Sequence, residues 1–225
     1  MEFADWEPIY ESILTDFGYG RGGDRAARDE LAAVAKPFDH ARLDCTDQTV
    51  AVAGAGPSLE SAVAVAREAD TVFAASTATD RLADAGVTVD LMVTDLDKNP
   101  ETVADRTARG APVAVHAHGD NRDLLAEWLP ETDLGHTLAT TQAAPADAVE
   151  NPGGFTDGDR AAYLADALGA AELRFLGWDF DDETLSAEKA RKLRWAERLL
   201  AHLESRRGER FEVLDGRRDG IESVV

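Results

Sequence analysis

Two aspartates leave an apolar stretch together and are the residues most able to do chemistry. Asp95 and Asp97 follow the apolar run at residues 91–94, with a single leucine between them. A spacing of two directs both carboxylates to one side of an extended chain, where they repel each other unless a cation lies between them. Because Mg²⁺ takes one or two carboxylates together with substrate phosphates, the pair predicts a metal–nucleotide site. The alternative is an ordinary loop of an acidic protein.

A glycine-rich turn follows another apolar run, at residues 54–59. Gly54 and Gly56 let backbone N–H groups approach an anion, and Ser58 can cap the next helix. The turn lacks the third glycine of the dinucleotide fingerprint and the Gly-Lys-Ser/Thr ending of a Walker A loop. It fits a phosphate or nucleotide contact and, equally well, a purely structural connection.

Two histidines, an acid and an amide cluster after a third run. His116 and His118 could bind a transition metal, hydrogen-bond phosphate oxygens or orient Asp120. Zinc catalysis is the weaker hypothesis, because the sequence offers no obvious third ligand. Asp120 and Asn121 are also residue types that cap a following helix, so a structural role stands beside the functional one.

A polar loop at residues 151–160 offers a different set of groups. Phe155 could stack on a planar ring, and Arg160 could pair with a phosphate through two parallel hydrogen bonds. Thr156 and Asp157 supply oxygen atoms next to them. The alternative is a helix that is N-capped near Thr156 and carries Arg160 on a solvated face.

These segments follow short apolar runs that alternate with amphipathic, Ala-rich stretches, which is the pattern of βαβ units. Ligands of an open parallel sheet bind beyond the carboxyl ends of the strands, where the candidate residues would lie. The sequence predicts strands at 49–53, 71–75, 91–94, 112–116, 137–141, 173–177 and 211–214, and helices at 58–69, 77–85, 100–109, 121–128, 157–168 and 186–206.

The predicted fold is α/β, a Rossmann-like three-layer sandwich with a mostly parallel sheet. Residues 1–45 read as helices broken by the glycine-rich stretch at 18–23, so we expect a small helical N-terminal cap. Residues 46–225 are expected to form one α/β catalytic domain, a size within the usual range.

Acidic residues dominate the charge balance. There are 44 acidic and 23 basic residues, for a formal net charge of −21. Such a surface repels nucleic acid and anionic lipid, so neither is an expected partner. Excess acid, few lysines and much alanine resemble the proteins of extreme halophiles, and on this interpretation most of the acids carry no chemistry.

Cysteine usage and the N-terminus indicate the compartment. Cys45 is the only cysteine, which excludes an internal disulfide and a Cys-rich zinc site and predicts a passive buried thiol. The first residues lack the basic and apolar regions of a signal peptide, and no run reaches the length of a membrane span. We expect a soluble cytoplasmic protein.

Taken in order, the motifs resemble those of the archaeal 6-hydroxymethyl-7,8-dihydropterin pyrophosphokinase family, over roughly residues 50 to 200. Five ordered motifs make the resemblance more specific than any one of them, and Lys192-Leu193-Arg194-Trp195-Ala196 also fits. The motifs are Gly54-Ala55-Gly56-Pro57-Ser58-Leu59, Asp90-Leu91-Met92-Val93-Thr94-Asp95-Leu96-Asp97, His116-Ala117-His118-Gly119-Asp120-Asn121, Gly154-Phe155-Thr156-Asp157-Gly158-Asp159-Arg160 and Gly177-Trp178-Asp179-Phe180.

The resemblance implies an Mg²⁺-dependent transfer of pyrophosphate from ATP to the pterin hydroxymethyl group, with release of AMP, in tetrahydromethanopterin or folate synthesis. It also implies a homodimer. The implied roles are Mg²⁺ binding for Asp95, Asp97 and Asp120; nucleotide or phosphate contacts for Gly54, Gly56 and Ser58; and pterin or metal contacts for Asn121, Phe155, Thr156 and Asp157. From their own chemistry, His116, His118 and Arg160 are further candidates for cofactor binding.

Three other functions remain open from the residues. The segment from Asp95 to Asp97 is similar to the Asp-Phe-Asp motif of thiamin pyrophosphokinases, which would use a different acceptor alcohol. A non-catalytic nucleotide-binding domain would bind ATP without forming AMP. A Rossmann-like glycosyltransferase would use an Asp-x-Asp pair to hold a metal and a sugar nucleotide.

Overall fold

The computed structural model describes the whole chain, Met1 to Val225, and confirms an α/β fold in which every strand pairing is parallel. The strands are β1 Thr49–Ala53, β2 Thr71–Ala75, β3 Leu91–Thr94, β4 Val113–Ala117, β5 Thr137–Thr141 and β6 Glu172–Leu176. The helices are α1 Phe3–Phe17, α2 Arg21–Ala32, α3 Val63–Glu68, α4 Ala78–Asp84, α5 Pro100–Ala108, α6 Arg122–Trp128, α7 Asp157–Ala167 and α8 Ala187–Arg207. Single 3-10 turns connect several of them.

The strand predicted at 211–214 is wrong, because Glu212–Leu214 forms one 3-10 turn. Phe211 is fully buried, with its ring 4.8 Å from that of Phe175. Its N–H donates to Glu204 (2.6 Å) and its carbonyl accepts from Arg218 (2.7 Å). Side chains thus satisfy the backbone groups that a strand would pair, and the run is apolar because it fills a core position.

One compact unit consists of residues 1–44 and 90–153. Its strands form a parallel ladder with β4 between β3 and β5. Near-continuous apolar character along these strands is what burial on both faces requires. The core of this unit contains Ala27, Leu31, Met92, Leu96, Val103, Val113, Val115, Ala117, Leu125, Ala139 and Val149.

The second unit consists of residues 45–89 and 154–225. Its strands also form a parallel ladder, with β1 between β2 and β6. Helix α7 packs against β1, β2 and α8, so residues around its whole circumference are buried. The core of this unit contains Ala51, Ala53, Leu59, Val63, Ala66, Val72, Ala74, Ala78, Leu82, Val87, Val89 and Leu176.

The N-terminal segment is more helical than the sequence predicts. Helix α2 begins at Arg21, so Gly22 and Gly23 lie inside it and only residues 18–20 separate it from α1. Cys45 is fully buried and forms no disulfide, as expected. None of the helices is both long and apolar enough to cross a membrane.

Candidate functional site

The turn after β3 presents two carboxylates to one side. The side chain of Thr94 accepts from Leu96 N (3.0 Å), and Leu96 has a left-handed φ of 70° although it is not glycine. Its side chain is 1% exposed, so burial holds the residue in this unfavourable conformation. A carboxylate oxygen of Asp95 and one of Asp97 consequently lie within 4.8 Å of each other.

The electrostatics of this pair fit a cation. Burial and then the charge of Asp95 raise the pKa of Asp97, and the ammonium of Lys98, 2.7 Å away, opposes the shift. The two carboxylates therefore repel each other, and a divalent ion bound between them would replace this repulsion by attraction. Oxygen ligands at this spacing suit Mg²⁺.

The loop after β4 braces this turn. Asn121 Nδ2 donates to the carbonyl oxygens of Asp95 (2.8 Å) and His116 (2.7 Å), and its Oδ1 accepts from His118 N (3.0 Å). The ring Nε2 of His118 lies 3.4 Å from Asp95 Oδ2. Asp120 is exposed and its carboxylate lies outside the oxygen cluster that contains Asp95 and Asp97.

The two histidines do not form a metal-ligand group with any third side chain. His116 lies within β4, one residue before the strand ends at Ala117. It is 1% exposed, and its Nδ1 is 3.0 Å from the hydroxyl of Thr140 on β5. The ring centroids of His116 and His118 are 6.2 Å apart, and their polar contacts go to different partners.

In the second unit, a carboxylate already occupies the donors of the glycine-rich turn. Asp179 Oδ2 accepts from both the N–H (3.0 Å) and the hydroxyl (2.8 Å) of Ser58. A Cβ at Gly56 would lie 2.7 Å from the backbone carbonyl oxygen of Gly177, which cannot swing away, so glycine fits there best. Arg81 donates to the carbonyls of Ala55 (2.7 Å) and Gly56 (3.1 Å). The turn can receive an anionic oxygen, and here its own chain supplies one.

Asp179 belongs to one of the motifs that carry the resemblance, but the sequence predicts no role for it, and Arg81 was not among the candidates. The position of Asp179 after β6 is a usable signal, since strand carboxyl ends share one edge in a parallel sheet. Arg81 lies within α4, where no local pattern distinguishes it from a solvated arginine.

The loop before α7 is fixed by a fully buried acid. Asp159 accepts from the backbone N–H groups of Phe155 and Thr156 and from the Thr156 hydroxyl (2.7 Å), which forms a capping box. Burial raises the pKa of Asp159, and these hydrogen bonds oppose the shift. Gly154 has a φ of 94°, and a Cβ there would lie 2.6 Å from Arg160 Cα. The motif at residues 154–160 contains Asp159, but the sequence predicts no role for it.

The structure excludes a solvated Arg160. The residue is 4% exposed, its Nη1 donates to Asp157 Oδ1 (3.0 Å), and its Nε is buried without a hydrogen-bond partner. A buried guanidinium with a spare donor is well suited to an anion. Phe155 is 7% exposed, so its ring is packed and does not present an open stacking face here.

Comparison with known proteins places the chain. Residues 27–184 match the MptE-like family, described as 6-hydroxymethylpterin diphosphokinase MptE-like. The chain belongs to this family. All the candidate site residues of this MptE-like chain lie inside the matched range, whereas α1 and α8 lie outside it.

Relatives of this MptE-like chain match it over nearly their whole length. The 6-hydroxymethyl-7,8-dihydropterin pyrophosphokinase of Methanothermobacter thermautotrophicus is 38% identical over 94% of this chain and 99% of its own. The protein of that name from Pyrococcus furiosus is 38% identical over 91% of this chain and 95% of its own. The protein of that name from Methanocaldococcus jannaschii is 26% identical over 92% of this chain and 97% of its own.

Proposed function

We propose that this chain is a 6-hydroxymethyl-7,8-dihydropterin pyrophosphokinase that uses ATP and Mg²⁺. The pterin hydroxymethyl oxygen attacks the β-phosphorus of ATP, the bond from that phosphorus to the α,β-bridging oxygen breaks, and AMP leaves while the hydroxyl proton is released. The Asp95–Asp97 pair in a chain of this family is the observation that carries the proposal. Such a transfer needs alignment and charge neutralisation more than a covalent nucleophile.

Asp95 and Asp97 hold Mg²⁺ in this proposal. Asp120 lies outside their oxygen cluster, so its exposed side chain would have to turn toward the ion to become a further ligand. The ion, when bound, supplies positive charge for the transferred phosphates. His118 and Asn121 keep Asp95 in place through the contacts at its carboxylate and its carbonyl oxygen. The chain's own contribution is therefore to hold two carboxylates close together despite their repulsion.

The remaining candidate residues are proposed substrate contacts. The N–H and hydroxyl of Ser58 bind a phosphate oxygen after the carboxylate of Asp179 has released them. Arg160 offers its unpartnered Nε to an anion. The N–H groups of Gly54 and Gly56 already donate to the carbonyls of Leu176 and Gly177 (2.9 Å each), so these glycines are proposed to give a phosphate room to approach the turn. The other proposed phosphate contacts are Ser58, His116, His118 and Arg160, and the proposed pterin or metal contacts are Asn121, Phe155, Thr156 and Asp157.

The test is AMP formation from ATP and Mg²⁺ in molar KCl, with 6-hydroxymethyl-7,8-dihydropterin or thiamin as acceptor in parallel reactions. Pterin-dependent AMP supports the proposal. Thiamin-dependent AMP would keep the reaction type and replace the acceptor. ATP binding without AMP from either acceptor would contradict catalysis, and consumption of a sugar nucleotide instead would favour a glycosyltransferase.

We further propose a cytoplasmic homodimer whose product enters tetrahydromethanopterin or folate synthesis. The family resemblance supports the dimer, and the single buried thiol fits a reducing compartment. Light scattering on the purified protein measures the assembly, and a monomeric mass would contradict it.

The acid excess leads to a prediction about salt. If the net charge of −21 is an adaptation to salt, the unfolding temperature should keep rising with KCl above about 1 M, where the Debye length is already about 3 Å. Calorimetry in KCl and in choline chloride of equal ionic strength separates hydrated-ion effects from screening. A plateau at low salt in both would refute the adaptation.

A further inference from the structure

A buried carboxylate outside the proposed metal site connects the N-terminal helices to it. Asp24 lies on α2 and is 5% exposed. Its Oδ2 accepts from the Tyr10 hydroxyl (2.6 Å) and Gln142 Nε2 (2.8 Å), and its Oδ1 accepts from Gly119 N (2.7 Å). Three donors compensate a carboxylate that would otherwise be costly to bury. The two oxygens therefore have different partners, and only Oδ1 reaches the loop after β4.

The backbones meet at the same place. A Cβ at Gly23 would lie 3.0 Å from Gly119 Cα, and a Cβ at Gly119 would lie 3.2 Å from Gly23 Cα. Glycine inside a helix costs about 1 kcal/mol relative to alanine. Gly23 therefore has a packing reason to be glycine, namely the close approach of the loop that carries His118 and Asn121.

This loop in turn holds the first carboxylate of the pair. Gly119 lies between His118, which contacts the Asp95 carboxylate, and Asn121, which donates to the Asp95 carbonyl. We propose that Asp24, through the N–H of Gly119, is a positioning residue that fixes this loop and thereby the carboxylate of Asp95. The inference deepens the proposed function, because it assigns the N-terminal helices a role in metal binding.

The two oxygens of Asp24 allow a matched comparison. Asp24→Ala removes the bond to Gly119, whereas Tyr10→Phe removes a bond to Oδ2 and leaves the Gly119 bond in place. Mn²⁺ affinity of the nucleotide-free protein, from electron paramagnetic resonance, is measured beside the unfolding temperature. We expect Asp24→Ala to weaken Mn²⁺ binding about tenfold, as loss of an outer support does, and Tyr10→Phe to lower the unfolding temperature with affinity within about twofold of wild type.

A second pair of variants needs no loss of a buried charge. Gly23→Ala places a methyl group against Gly119, so the loop must shift by a few tenths of an ångström, whereas Gly22→Ala meets nothing within 4 Å. Both substitutions favour the helix equally by propensity. We expect Gly23→Ala to weaken Mn²⁺ binding several-fold and Gly22→Ala to leave it unchanged. This pair decides the matter if Asp24→Ala does not fold.

Two results would overturn the positioning role. In the first, Gly23→Ala and any folded Asp24→Ala bind Mn²⁺ as tightly as wild type does. In the second, the control variants Tyr10→Phe or Gly22→Ala lose as much Mn²⁺ affinity as the variants they are matched with. Absence of Mn²⁺ binding by the wild-type protein would overturn it too, since no metal carboxylate would then be positioned. Failure of the proposed function looks different: the wild type would bind Mn²⁺, the variants would differ as expected, and no pterin-dependent AMP would form.

Discussion

Replacing Asp97 or Asp95 by asparagine is expected to lower kcat about 100-fold or more, without lowering the unfolding temperature of the metal-free protein. The loss of turnover follows because a direct metal ligand should matter at least as much as an outer-shell partner, whose loss costs about 10- to 100-fold. The unfolding temperature is not expected to fall because the raised pKa of Asp97 shows that the folded state disfavours its negative charge. Removing that charge should therefore not lower the free energy of unfolding. Steady-state kinetics at several Mg²⁺ concentrations and thermal melts without Mg²⁺ measure both.

A surface acid of the same unit provides the control. Asp105, on α5, has a side chain 72% exposed and pairs only with the exposed Arg109 at 3.3 Å, so Asp105→Asn should leave turnover unchanged. Near-normal activity of Asp97→Asn and Asp95→Asn at saturating Mg²⁺ would remove these residues from the metal site. A large drop in metal-free stability would instead indicate a structural role.

The substitution Gly54→Ala should produce a large loss of stability. Gly54 is the buried residue directly after β1, and a Cβ there would lie 2.5 Å from the carbonyl oxygen of Gly177. The Gly54 N–H also donates to Leu176 O (2.9 Å), so the contact cannot open without loss of a ladder hydrogen bond. Overpacking against backbone is expected to cost about 2–3 kcal/mol. Thermal melts should show a decrease of roughly 5–10 °C.

The matched control is Gly220→Ala, in the same unit, where a Cβ meets nothing within 4 Å and the residue is exposed. This variant should melt within about 2 °C of wild type, as surface substitutions usually do. Equal melting of Gly54→Ala and Gly220→Ala would mean that the joint between the ends of β1 and β6 yields more easily than its geometry indicates.

The strands were predictable because their burial is recorded locally. Continuous apolar runs gave β1, β2, β3 and β5 with their boundaries, and β4 and β6 within one residue. The same rule failed at Phe211, where the apolar side chain fills the core while Glu204 and Arg218 bind the backbone. Periodicity reports which residues are buried, and it cannot report what their backbone groups bond to.

The candidate site was predictable only where position along the chain implies position in space. Acids that follow a strand, such as Asp95 and Asp97, could be selected on that ground, and the structure holds them close together. The contacts of Asp179 with Ser58 and of Asp24 with Gly119 join residues far apart in sequence. The burial of Arg160 likewise depends on the packing around α7, which cannot be read from the residues next to Arg160 in the sequence.

The alternation of the two units along the chain has a consequence for synthesis on the ribosome. Residues 1–44 and 90–153 complete the first unit once residue 153 has emerged, but the second unit still lacks 154–225. Its central strand β1 pairs with β6, with Val50 opposite Leu173. One edge of β1 therefore has no partner strand until β6, which is translated much later, has been made. Exposed strand edges template aggregation, so the nascent chain is most vulnerable in the interval before β6 leaves the exit tunnel.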